Sequence, residues 1–89
     1  MKIKDGFVVE KVGSKYLAVA VGARADECNA LIRMNETGAF LWNKLAEGEK
    51  TIEELAALTT AEYDVDIERA RVGAEKFVES LRGAKLLDE

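Results

Sequence analysis

The stretch Arg33-Met34-Asn35-Glu36-Thr37-Gly38-Ala39-Phe40-Leu41-Trp42-Asn43-Lys44-Leu45 is where the chain changes its period. Up to Met34 apolar residues come in short β-branched runs. Beyond it they recur at about 3.6 residues, the spacing of a helix face. Asn35 stands at the junction as an N-cap, with Glu36 at the positive end of the helix it opens. Gly38, Leu41, Trp42 and Leu45 share the buried face of that helix. Phe40 lies off the stripe, so the helix is expected to be covered on more than one side. Gly48 is expected to stop it in a left-handed conformation.

Working back from this junction, Phe7 to Val12 and Tyr16 to Val21 are two strand-sized runs separated by a Gly13-containing turn, which argues for a hairpin. Leu17, Val19 and Val21 fall on one side of the second strand because side chains alternate. Residues 22–27 read as a loop, and a third strand is expected over residues 28–34. Leu31 and Ile32 point to opposite faces, so at least one of them belongs to the core.

Working forward, Thr51-Ile52-Glu53-Glu54 is a capping box that opens a second helix with Ile52, Leu55, Ala56 and Thr59 inside. Tyr63-Asp64-Val65-Asp66 turns the chain into a third helix capped by Asp66, with the stripe Ile67, Ala70, Ala74, Phe77, Val78 and Leu81. One flank of this helix carries Arg69, Gly73, Lys76 and Ser80; the other carries Arg71, Glu75 and Arg82. Gly73 costs about 1 kcal/mol relative to Ala inside a helix. That reads either as tolerated drift beside solvated basic residues or as room for another chain to approach. Gly83 is expected to end the helix, and Leu86-Leu87 to fold back as an apolar clasp. Three strands followed by three helices make an α+β arrangement, read as one domain over residues 1–89, with the helices covering one face of a small antiparallel sheet.

The composition limits what such a domain does. With 89 residues, 48% of them hydrophobic, the chain has room for one core and little capacity for both a cofactor site and a substrate pocket. It contains no His and one Cys, so it lacks the imidazole of a Ser-His or Cys-His arrangement and the ligand cluster of a zinc site. Its 17 Asp and Glu are spread at the spacings of solvated helix faces. No catalytic residue, metal or cofactor is expected, and the chain reads as a binding module rather than an enzyme. A lone Cys28 closes no internal disulfide, and Met1 to Gly6 resembles no signal peptide, which points to the cytoplasm. The longest apolar run, Tyr16 to Val21, is far below the ~20 residues that span a bilayer, so no membrane partner is expected.

Charge is unevenly distributed. Residues 1–33 hold six Lys or Arg against four Asp or Glu, net +2, while residues 34–89 hold seven against thirteen, net −6. The acidic part carries the helices, so broad attraction to nucleic-acid phosphates is not expected.

The stretch from Met34 to Leu45, with its Asn-x-x-Gly-x-x-Leu-Trp-x-x-Leu pattern, resembles the PqqD family, winged-helix-like recognition domains of ribosomal peptide natural product biosynthesis. Thr51 to Leu55, Tyr63 to Val65, Phe77 to Leu81 and Leu86-Leu87 extend the resemblance to nearly the whole chain, Phe7 to Leu87. Gly73 departs from the pattern, standing where the family often has an acidic residue. Lys85 departs also, standing where a Gly commonly precedes the terminal Leu pair.

The resemblance implies a winged-helix-like fold and leader-peptide binding. The leader segment of a precursor peptide would add as a strand to the edge formed by Asn29, Ala30, Leu31, Ile32 and Arg33, with main-chain hydrogen bonds giving affinity and side-chain pockets giving specificity. Arg69, Gly73 and Lys76 would form the opposing helix surface, suited to an acidic leader, although the flank that faces the groove is not readable from sequence. The domain would need no cofactor and would act as an adaptor for a separate modifying enzyme, commonly a radical S-adenosylmethionine enzyme.

Two other readings share the architecture. A winged-helix DNA-binding regulator needs a basic recognition helix, whereas the third helix mixes Arg69, Arg71, Lys76 and Arg82 with Glu68, Glu75 and Glu79. A self-associating module would pair its exposed strand edge with a second copy, so that the protein is either a monomer or an edge-paired homodimer.

Overall fold

The structure, a computed structural model, describes residues 1–22 and 31–88. In chain order these form β1 (Lys2–Ile3), β2 (Phe7–Val12), β3 (Lys15–Ala20), β4 (Leu31–Met34), α1 (Glu36–Glu47), α2 (Ile52–Glu62), α3 (Ile67–Gly83) and β5 (Leu87–Asp88). The three-stranded antiparallel sheet expected before the helices is present, in the order β2-β3-β4. The third strand is seen over Leu31–Met34; its expected start, Cys28 to Ala30, and most of the expected loop lie outside the described residues.

The hairpin turns through Gly13 and Ser14, with Val12 opposite Lys15. Gly13 has φ +64°, a value that an L side chain resists and that tight hairpin turns demand at their first position. Register then decides the faces. Val8 lies opposite Val19 and Glu10 opposite Leu17, so these four share the side turned away from the helices, where Val8 and Val12 are exposed. The other side carries Phe7, Val9, Tyr16 and Ala18 from the hairpin and Ile32 and Met34 from β4, all in or against the core. The set Leu17, Val19 and Val21 is therefore the outer set, and Ile32 belongs to the core side.

Each helix begins as its local chemistry dictates. The Asn35 side chain accepts from the Gly38 N–H at 2.8 Å, and Asp66 accepts from the Arg69 N–H at 2.8 Å. Thr51 and Glu54 form both halves of the capping box, at 3.1 and 3.0 Å. Each cap satisfies donors that the first helical turn leaves unpaired.

Trp42, Leu45, Leu55, Leu81 and Leu86 form the centre of the core. Phe7 meets Trp42 edge to face at 5.9 Å between ring centroids and ties the sheet to α1. Phe40, off the main stripe, packs edge to face on Tyr63 at 5.4 Å, the second covered side expected of α1. Ile67, placed on the core stripe from its spacing, is exposed instead, because it lies in the first turn of α3.

The end of α1 departs from expectation, whereas α3 ends at Gly83 as expected. Gly48 follows α1 with φ 159° and ψ −178°, an extended conformation rather than a left-handed one. Gly83 is the last residue of α3, and the left-handed position falls two residues later on Lys85, with φ +61°. Lys85 N–H donates to the Arg82 carbonyl at 3.0 Å and Leu86 N–H to the Leu81 carbonyl at 2.9 Å, the paired bonds of a Schellman motif. The motif folds Leu86 back onto the core. β5 then pairs antiparallel with β1, Lys2 opposite Asp88 and Ile3 opposite Leu87, a second small sheet that the sequence pattern did not announce.

Candidate functional site

The concavity of interest lies between the start of α1 and the first three turns of α3, with a volume of about 340 Å³. Asn35, Thr37, Gly38 and Leu41 form one wall; Ala70, Ala74 and Phe77 form the other, with Thr59 and Val65 closing an end. Gly38 makes the two walls possible. A Cβ there would stand 3.2 Å from Met34 Cβ, 3.3 Å from Asn35 Oδ1 and 3.4 Å from Phe77 Cε1, so any other residue where α1, β4 and α3 meet requires these neighbours to give way by a few tenths of an ångström.

Arg69, Gly73 and Lys76 complete the groove along its α3 side. In a helix of 3.6 residues per turn, positions i, i+4 and i+7 fall within a narrow wedge, so the three stand in line. A Cβ on Gly73 would meet nothing within 4 Å. Its small size thus serves no internal packing and leaves the middle of the wall open. Arg69 and Lys76 are exposed, and neither forms an ion pair with another described residue.

The opposite flank of α3 behaves differently. Arg71 donates to both oxygens of Glu53 on α2, from Nε at 2.8 Å and from a terminal nitrogen at 3.1 Å, and to Glu68 at 3.2 Å. The Arg71 hydrogen bonds hold the Glu53 carboxyl below its usual value of 4.5, and Glu53 in turn raises Arg71. That flank is engaged with α2, which leaves the flank of Arg69, Gly73 and Lys76 to face the groove.

β4 is an edge strand: one side pairs with β3, and no described strand pairs with the other. It runs directly into Asn35, which lines the groove. Of the edge residues expected to matter, Asn29 and Ala30 lie outside the described residues. Ile32 is half-buried on the core side. Arg33 is exposed opposite Leu17, where it lines a separate depression with Val12 and Lys15 rather than the α3 groove. Phe77, Leu41 and Asn35, core and cap residues by their sequence pattern, line the groove as well. The one available signal for Phe77 was its place at the edge of the α3 stripe, next to Lys76.

The lining contains no carboxylate, and among the described residues no cluster of His, Cys, Asp and Glu could hold a metal ion. No helix of the described residues is long and apolar enough to cross a membrane. The arrangement offers an apolar trough, two cations at its rim and a strand edge leading in. These are the components of extended-chain recognition.

Comparison with known proteins decides the lineage. The family model described as Coenzyme PQQ synthesis protein D (PqqD) matches residues 9–87. The chain belongs to the PqqD family. This PqqD family member also superposes on a solved structure, TbiB1 in complex with the TbiA(beta) leader peptide, with a TM-score of 0.73 and 25% sequence identity. The likeness covers 99% of this chain and 95% of that one. Among curated proteins, none matches the PqqD family chain described here.

Proposed function

We propose that this PqqD family protein binds the leader segment of a ribosomally made precursor peptide. The leader adds antiparallel or parallel to the free side of β4 and continues along the groove beside α3. The observation that carries this reading is the continuity of the two features: the edge of β4 that no described strand covers ends at Asn35, and Asn35 is itself a wall of the groove. The overlap in fold with TbiB1, whose structure holds a leader peptide, supports it.

In this reading residues 29–33 supply main-chain hydrogen bonds, and Arg69, Gly73 and Lys76 supply the facing surface. The whole domain is a cytoplasmic adaptor without catalysis of its own. It presents the peptide to a separate modifying enzyme, for which the family resemblance favours the radical S-adenosylmethionine type.

The test is an NMR titration of labelled protein with a synthetic peptide copying the leader encoded beside this chain's gene, followed at the amides of residues 28–34 and 69–80. Shifts concentrated in those two segments are expected. Shifts confined to β2 or α2 would overturn strand addition at β4, and a dimer that persists with the peptide bound would argue against edge pairing between copies. Dependence of the modifying enzyme's turnover on this protein would establish the adaptor role, and turnover unchanged without it would remove that role.

A further inference from the structure

The groove's charge and shape say more about its ligand than that it is a peptide. Resting on the reading of this groove as a peptide site, we infer that the bound segment has the pattern acidic-x-large apolar-x-acidic, and that Gly73 is the residue that admits the apolar side chain.

Three observations converge. The first is the central gap: Gly73 has open space where its side chain would be, and it lines the same concavity as the apolar Leu41, Ala70, Ala74 and Phe77. The volume of about 340 Å³ is at the lower end of the ~300–1,000 Å³ of ligand pockets, suited to one or two side chains rather than a cofactor. The second is that the gap is bracketed. Arg69 and Lys76 stand on either side of Gly73, seven residues apart, which is about 10 Å along a helix.

The third is the absence of internal anions. The chain is net −4, and Arg71 and Arg82 each pair with a glutamate. The groove lining nevertheless holds two cations and no carboxylate, and neither cation has an ion-pair partner among the described residues. An extended peptide places residues i, i+2 and i+4 on one face, spanning about 13 Å. With the middle residue seated in the gap, the outer two arrive within reach of the flexible Arg69 and Lys76 side chains. Carboxylates there complete the charge, and cations there are repelled.

The probes are three fluorescein-labelled synthetic peptides identical except for Glu-x-Phe-x-Glu, Lys-x-Phe-x-Lys or Glu-x-Ser-x-Glu at the centre, titrated by anisotropy against the full chain. The expected result is tightest binding of Glu-x-Phe-x-Glu, with about tenfold weaker binding of each of the others. The double variant R69E/K76E should prefer the Lys-x-Phe-x-Lys peptide, reversing the order. Gly73→Met should lose the preference for Phe over Ser while melting no lower than the parent, since Met is the better helix former at an exposed position.

Equal affinity for the three peptides, or an order that R69E/K76E leaves unchanged, overturns the inference. If the encoded leader shifts the amides of β4 and α3 while none of the designed peptides binds, the pattern is wrong and the peptide site stands. If neither the leader nor the designed peptides bind, both fall.

Discussion

Arg71 and Glu53 form the only two-pronged ion pair joining two helices among the described residues, with contacts of 2.8 and 3.1 Å between α3 and α2. Because the guanidinium holds the Glu53 carboxyl below 4.5, the folded protein binds this proton less readily than the unfolded chain does. The associated stability is present above pH 4.5 and is lost as the pH falls through the lower folded value. The difference in urea midpoint between the parent and Glu53→Gln should therefore be constant at neutral pH and shrink as the pH falls below 4.5 and through the lowered folded value. A difference that does not shrink anywhere on the acid side would show that the carboxylate charge is not what the pair contributes.

Gly38 sits where three elements converge, and a methyl group there displaces Met34, the Asn35 cap oxygen or the Phe77 ring. Gly38→Ala should destabilise by about 1 to 2 kcal/mol in equilibrium urea unfolding, the overpacking cost outweighing the better helix propensity of alanine. Because Phe77 is also a groove wall, the variant should weaken leader binding in the same titration.

Gly73 presents the opposite case. With nothing within 4 Å of its missing Cβ, Gly73→Ala relieves the helix of a flexible residue without a clash. It should stabilise the free protein by up to about 1 kcal/mol, seen as a higher melting temperature. Destabilisation would mean that the space above residue 73 is occupied in solution.

Lys85 holds φ +61° so that Leu86 can turn back into the core. A residue with a Cβ is strained there by about 1 to 2 kcal/mol, and glycine is not. Lys85→Gly should recover about 1 kcal/mol, and Lys85→Val, with a β-branched side chain forced into the same conformation, should lose stability. Both are read by thermal or urea unfolding.

The parts of this fold that could be read from the sequence are those whose chemistry is local. Asn35, Thr51 with Glu54, and Asp66 cap their helices through groups three residues away, so each signal is complete within one turn. Gly38, Leu41, Trp42 and Leu45 declare a face by spacing alone. The illegible parts depend on distant partners. β3 has apolar residues on both sides, Leu17 and Val19 against Tyr16 and Ala18, and only the arrival of the helices decides which side is inner. The two-residue strands β1 and β5 are too short for any periodicity. The groove-facing flank of α3 is open in the sequence because both flanks carry cationic side chains, Arg69 and Lys76 on one and Arg71 and Arg82 on the other. It was settled by Glu53, on a different helix, engaging Arg71.

The pairing of Lys2–Ile3 with Leu87–Asp88 sets the first and last described strands side by side, one ladder spacing apart, in a sheet separate from the one that carries β4. The two strands thus buckle the described fold shut away from the edge of β4, so that the ladder holding residues 2–3 to residues 87–88 and the ladder that ends at β4 are separate structures.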